Sequence, residues 1–297
     1  MKKVVLVGLG DVGLTYAVRL RDICDLSILV DKERLLKYKK NKFLFNDIEY
    51  EFNYILPEKK IHADLIIITT KFQHLSTVIK NIENFVTSNT RIISLINGIS
   101  SEEVIAQAYP NAVVLKSYFI GHSAVREANS VHQDGVGEIV IEHDDFIEKF
   151  FSESEIKYSV PDDINYSMWL KYCFNLFSNQ ISAILNMDFG ALKQNKAFKN
   201  FAKKIILEVS KIAECKGVKN VELLESDALK LLDRMCNEGK TSMHQDILAK
   251  RPTEVDIFAG EIIRLGVKYG IETPCNDVLY NLIKIKEEDN ERSIHSC

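Results

Sequence analysis

Residues 4–20 read VVLVGLGDVGLTYAVRL. A continuous apolar run of β type, VVLVG (4–8), passes directly into a helical pattern, and Gly8, Gly10 and Gly13 punctuate the join with the spacing G-x-G-x-x-G. Glycines so placed permit a tight turn, a close backbone approach to a pyrophosphate and close packing of helix on strand. The start of the helix then presents unpaired N–H groups to an anion. Gly8, Leu9, Gly10, Asp11, Val12 and Gly13 are therefore the expected dinucleotide-binding turn, the other reading being a tight βα turn without ligand.

The same grammar continues outward. LSILVD (26–31), LIIIT (65–69) and RIISLI (91–96) are apolar runs of the kind buried on both faces of a parallel sheet. Helical patterns separate them, which predicts a Rossmann-type doubly wound sheet. After AVVLKSYFI (112–120), the pieces SAVREANSVHQ and GEIVIEH are expected to add strands that extend that sheet. Beyond Pro161-Asp162-Asp163 the strands stop, and helical patterns cover 164–186, 196–216, 221–237, 253–269 and 276–288, followed by a frayed tail, KEEDNERSIHSC. The expected architecture is α/β: a Rossmann domain over 1–163 and an all-α domain over 164–297.

Composition narrows the function. With 46% hydrophobic and 27% charged residues the 297-residue chain has an ordinary globular make-up. A net charge of −4 gives no reason to expect nucleic acid or an anionic membrane as a partner. The opening MKKVVLVGLG resembles a signal peptide, but Asp11, Arg19 and Arg21 follow at once, so it reads as a buried strand. No apolar segment approaches the roughly 18 residues that span a bilayer. Six cysteines, none in a C-x-x-C pair, fit reduced thiols in a cytoplasm, and seven histidines form no metal pattern.

Several positions carry chemistry. Asp31 ends the second apolar run, near where an acid bonds the ribose hydroxyls of NAD and repels a 2′-phosphate. Lys32 and Arg34 oppose that preference, and Asp31 is equally placed to cap the helix after it. Lys71 follows LIIITT and Asn97-Gly98 follows RIISLI, both at the carboxyl edge of the expected sheet, where Asn-Gly is also a strong turn pair. In MWLKYCFNLFSNQ (168–180), Lys171, Asn175 and Asn179 recur in steps of four. At about 100° per residue these form one stripe, which in so apolar a helix either faces solvent or lines a site. Ser242 opens S-M-H-Q, a capping-box pattern, and Glu254 falls in the expected first turn of the helix after Arg251-Pro252.

Taken together, these motifs resemble the ketopantoate reductase family, which reduces 2-dehydropantoate to pantoate with NADPH in pantothenate biosynthesis. Its relatives include NAD-dependent dehydrogenases of branched or aromatic D-2-hydroxy acids. The resemblance runs through Gly8, Gly10 and Gly13, Lys71, Asn97-Gly98 in LINGISSEE, the stripe in WLKYCFNLFSN, Ser242 to Asp246 in TSMHQD, and Glu254 in RPTEVD. It implies a helical second domain of a kind that often dimerises, hence a homodimer, and a small 2-oxo acid as substrate. It also implies Lys171 as general acid with Glu254 as its carboxylate partner, Asn97, Asn175, Asn179 and Ser242 as substrate contacts, and Asp31, Lys71 and Asn97 as cofactor contacts beside the glycine turn. Where NADPH-using members carry an arginine this chain has Asp31, and where they carry a glutamine it has His74. Asp31 favours NADH, and the family favours NADPH. The rival of another class is a nucleotide-sensing protein without catalysis.

Overall fold

The computed structural model describes residues 1–121, 123–127, 129–135 and 137–295. The chain divides into two compact units, Met1–Ile164 and Asn165–Cys297.

The first unit is built on a six-stranded, all-parallel sheet in the order β5 (Tyr54–Ile55), β2 (Asp25–Leu29), β1 (Lys3–Val7), β6 (Leu65–Ile68), β7 (Arg91–Ser94), β8 (Val113–Leu115). Alternate residues of each strand enter opposite cores, as the two-residue period of a strand requires. Val4, Leu6, Ile28, Leu65, Ile67 and Ile93 join one cluster, which also holds Leu14 and Leu20 of α1 (Asp11–Leu20) and Phe150 of α5 (Asp145–Glu153). Val5, Val7, Leu29, Ile66, Ile68 and Ile92 join the other, with Leu75, Val78 and Ile82 of α3 (Leu75–Ile82) and Ile105 of α4 (Ser101–Ala108). Apolar side chains on both faces of one run are thus explained by helices on both sides, each fully buried Leu or Ile contributing about 1.5–3 kcal/mol.

The strands after β8 do not extend this sheet, contrary to the sequence pattern. β9 (Ser117–Ile120), β12 (Glu138–Ile141) and β13 (Tyr158–Ser159) form a three-stranded sheet, and β10 (Ser123–Glu127), β11 (Ser130–Asp134), β3 (Phe43–Phe45) and β4 (Ile48–Tyr50) a four-stranded one. Ser117 explains the departure of β9: its hydroxyl accepts from the Ser94 N–H at 3.1 Å and donates to the Ser94 carbonyl at 3.0 Å. A side chain takes the place of a strand neighbour at the end of β7. The β3–β4 hairpin turns on Asn46 and Asp47, both at positive φ (47° and 65°), a conformation Asn and Asp tolerate well.

The second unit is helical: α6 (Ile164–Leu185), α7 (Phe189–Gln194), α8 (Lys196–Cys215), α9 (Leu224–Arg234), α10 (Ser242–Leu248), α11 (Ala259–Tyr269) and α12 (Pro274–His295). The segments expected at 221–237 and 253–269 each open with a 3₁₀ turn, Val221–Leu223 and Val255–Ile257. Tyr172, Cys173, Leu176 and Phe177 are 2% exposed or less, so α6 is surrounded. Buried Glu208 of α8 accepts from the backbone N–H groups of Cys275 (2.7 Å) and Asn276 (3.1 Å) and from the Asn276 amide (2.7 Å), closing the N-terminus of α12 with a carboxylate. The tail expected to fray is helical as far as His295. Thr253 N–H donates to Glu287 at 2.6 Å, and Asn290 donates to the Ile247 carbonyl at 3.2 Å, fastening that last stretch to the segment before α11. No helix among the described residues is long and apolar enough to cross a membrane.

Candidate functional site

In the first unit, the loops after β1 and β6 meet where the sheet order reverses, since β1 leads through α1 to β2 on one side and β6 leads on to β7 on the other. Such a switch point is where doubly wound sheets bind ligands. Gly8 has φ +101°, and a Cβ there would lie 2.9 Å from Thr70 Cγ2. A Cβ on Gly13 would lie 2.1 Å from the Gly8 carbonyl oxygen and 2.5 Å from Thr69 Oγ1. Both positions admit only glycine at this spacing. Gly10 begins α1 and supplies no side-chain cap to it. Beside the turn, the Thr69 hydroxyl donates to the Gly8 carbonyl at 2.8 Å, while the Thr70 hydroxyl oxygen is buried without a partner. A glycine-only cradle, an uncapped helix start and an orphaned hydroxyl fit the pyrophosphate of a dinucleotide.

The other expected residues of this unit lie along the same edge, since Val7, Leu29, Ile68 and Ser94 share one register level. Lys71 is exposed and begins the 3₁₀ turn Phe72–His74. Asp31 is the N-cap of α2 (Lys32–Lys40): one carboxylate oxygen accepts from the Arg34 N–H at 2.7 Å and the other from its guanidinium at 3.0 Å. Capping is therefore part of what Asp31 does. Asn97 is half-buried, with Gly98 at φ +110° beside it.

Four buried polar residues close the base of the loop that carries Asn97. Ser94 donates to Ser101 Oγ at 2.9 Å, and Ser101 donates to Glu102 Oε2 at 2.9 Å. Ser117 holds the backbone of Ser94, as above. Burial pushes the Glu102 carboxyl up from 4.5 to about 7, against the opposing pull of hydrogen bonds and of Lys116, and its Oε1 has no partner. Sequence patterning does not single out Glu102, because one acid in the first turn of a helix is ordinary.

In the second unit, the stripe on α6 deepens along its length: Lys171 and Asn175 are half-buried and Asn179 is 5% exposed. It does not run along an open face. The polar residues around it are tied inward, with Ser178 donating to the Phe174 carbonyl at 2.7 Å and its oxygen lying 3.3 Å from Asn179 Oδ1. Two distant segments are fastened to the same helix. Tyr172, next to Lys171, donates its hydroxyl toward the carbonyls of Ile257 (3.0 Å) and Phe258 (2.8 Å), which holds the turn that Glu254 begins. Glu254 is half-buried and precedes a 3₁₀ turn, not the first turn of an α-helix as expected; the α-helix starts only at Ala259. Ser182 Oγ lies 2.6 Å from Thr241 Oγ1, which brings the start of α10 against α6.

Ser242 is not the cap of α10. Thr241 is, accepting from the His244 N–H at 3.2 Å, and Gln245 turns to the Lys240 carbonyl at 3.3 Å and so forms no box with Ser242. Thr and Ser in succession are both good caps, so the pattern is ambiguous by one residue. Ser242 is left exposed in the first turn. Tyr172, Ser182 and Thr241 were legible only as ordinary helix residues. Among the described residues no group of three His, Cys, Asp or Glu side chains is placed to hold a metal.

Known proteins resemble this chain in sequence and in fold. The family profile described as ketopantoate reductase PanE/ApbA matches residues 4–145, and its C-terminal counterpart matches 163–287. A 2-dehydropantoate 2-reductase of Pyrococcus horikoshii is 30% identical over 234 residues, 75% of this chain and 76% of the relative. One from Vibrio cholerae is 26% identical over 235 residues, 77% and 79% of the two chains. Among solved structures, a D-mandelate dehydrogenase in complex with NADH and anilino(oxo)acetate superposes with a TM-score of 0.85 at 24% identity, covering 97% of this chain and 99% of that one. A dimeric ketopantoate reductase from Staphylococcus aureus does so with 0.79 at 20% identity, again over 97% and 99%. A glycine turn at the switch point of a parallel sheet, followed by a helical unit with its lysine and amide stripe, is thus accounted for over nearly the whole chain: it belongs to the ketopantoate reductase family of oxidoreductases.

Proposed function

We propose that this protein reduces a 2-oxo acid to the 2-hydroxy acid with NAD(P)H, and that 2-dehydropantoate is the first substrate to try. The observation that supports it best is the half-buried Lys171 at the head of an amide stripe within an otherwise apolar helix. The Gly8–Gly13 turn with Thr70, Lys71 and Asn97 would hold the reduced dinucleotide, which would supply the hydride when bound. Lys171 supplies the rest: its ammonium stabilises negative charge growing on the carbonyl oxygen and then donates a proton to it. Glu254 is the proposed carboxylate partner of that lysine. Asn175, Asn179 and Ser242 hold the carboxylate and hydroxyl of the acid, with Asn97 reaching the substrate beside the cofactor. The proposed assembly is a homodimer, and the free thiols of Cys24, Cys173, Cys215, Cys236 and Cys275 favour a reducing, cytoplasmic compartment; Cys297 lies outside the described residues.

Asp31 supports a second reading, an NAD-dependent D-2-hydroxy-acid dehydrogenase for branched or aromatic acids. A 2′-phosphate brought beside its carboxylate meets about 4 kcal/mol of repulsion at 4 Å and an effective dielectric of about 20. Arg34, already paired with Asp31, offsets part of this. The expected result is NADH binding about ten-fold tighter than NADPH. Asp31→Asn, which keeps a capping side chain, should narrow the gap, and Asp31→Arg should reverse it, as read by fluorescence titration. Tighter NADPH binding by the unaltered protein would mean that Asp31 acts only as a cap. A panel of 2-oxo acids assayed with each cofactor separates the substrates: fastest turnover of 2-dehydropantoate supports the first reading, of bulky branched or aromatic acids the second, and turnover of none refutes both.

A further inference from the structure

One chain of hydrogen bonds in the second unit is directional throughout. Ser182 donates its only hydroxyl proton to the Asn179 carbonyl at 3.0 Å. The proton between Ser182 Oγ and Thr241 Oγ1, 2.6 Å apart, therefore belongs to Thr241. Thr241 in turn accepts from the His244 N–H at 3.2 Å. The order is His244 N–H to Thr241, Thr241 to Ser182, Ser182 to the backbone of Asn179. Ser182 is 0% and Thr241 4% exposed. A helix cap needs only an acceptor oxygen. Here the cap also donates, across 59 residues of sequence, to the helix that bears the amide stripe. The residue after the cap is the exposed Ser242, and the residue at the far end of the chain is Asn179.

We infer that Thr241 and Ser182 are positioning residues, whose hydroxyl-to-hydroxyl bond fixes Ser242 relative to Asn175 and Asn179 and so sets the grip on the substrate carboxylate. The inference rests on the proposed role of Ser242 and the stripe. An apolar contact would hold α10 against α6 as well, but it has no direction, and a hydrogen bond fixes orientation as well as distance.

The test is steady-state kinetics at saturating cofactor on Thr241→Val, Thr241→Ser, Ser182→Ala and the Ser182→Ala/Thr241→Val pair, with a thermal melt of each. Thr241→Val should raise KM for the 2-oxo acid about three- to ten-fold, the range for one neutral hydrogen bond. Cofactor affinity should stay at the wild-type value, and Thr241→Ser should restore KM. The pair should be less affected than the product of the two single effects, because the Thr241–Ser182 bond is lost in both, while each change also removes a bond of its own, to the Asn179 carbonyl or from the His244 N–H. An unchanged KM in Thr241→Val and Ser182→Ala, or a Thr241→Ser variant that melts like wild type yet keeps the raised KM, overturns the inference alone. Absence of turnover with any 2-oxo acid in the wild type removes the proposed function, and the inference with it.

Discussion

Lys171→Ala is expected to lower the rate of 2-oxo-acid reduction by about 10²–10⁴-fold, the range for a positioned proton donor. Two contributions are lost together. The alkoxide formed by hydride addition loses its counter-charge, and no other acid in the proposed set is poised to protonate it. Lys171→Arg separates them, since a guanidinium keeps the charge but does not give up its proton near neutral pH. Its rate should fall between those of wild type and alanine. Cofactor affinity should be unchanged in both variants, because the glycine turn belongs to the first unit. The check is kcat/KM for the acid beside a fluorescence titration of the cofactor, and wild-type turnover in Lys171→Ala would remove the lysine from the chemistry.

Glu102 carries the second large effect, on stability. Its carboxyl is raised from 4.5 to about 7 by burial in the folded chain. The folded state therefore holds the proton more tightly than the unfolded state. The sign follows: this contribution is fully present below pH 4.5 and is lost as pH rises through about 7. At about 1.4 kcal/mol per pH unit, the loss amounts to about 3 kcal/mol. Glu102→Gln is neutral throughout and keeps an oxygen for Ser101. In urea unfolding followed from pH 5 to 9, the stability of wild type relative to Glu102→Gln should decline up to about pH 7 and level off above it. Parallel curves would mean that the carboxyl is not titrating in that window.

Much of the first unit was legible because a strand buried on both faces announces itself, as in Leu65–Ile68, where every residue is buried. The glycine turn was legible for a steric reason, which Gly13 makes plain. What escaped depends on contacts made over long sequence separations or on distinctions finer than periodicity. Nothing in AVVLKSYFI marks Ser117 as the side chain that turns β9 away from the parallel sheet. A 3₁₀ turn after Glu254 and a first helical turn look alike in sequence. The cap of α10 shifted by one residue because Thr241 and Ser242 suit the position equally. The stripe of Lys171, Asn175 and Asn179 was visible from its spacing, but whether it met water was decided by the helices packed around α6. Glu102 was invisible, since its unusual state comes from the serines and the burial around it.

The proposed reaction is delivery of a hydride to the carbonyl carbon of a 2-oxo acid. Its most direct test supplies NAD(P)H carrying deuterium at both C4 positions of the dihydronicotinamide, together with the 2-oxo acid turned over fastest, and reads the product by mass spectrometry. The expected product is a 2-hydroxy acid with a single deuterium, bonded to C2, formed in step with the oxidised cofactor. A product without deuterium, or cofactor oxidation without any 2-hydroxy acid, would contradict it.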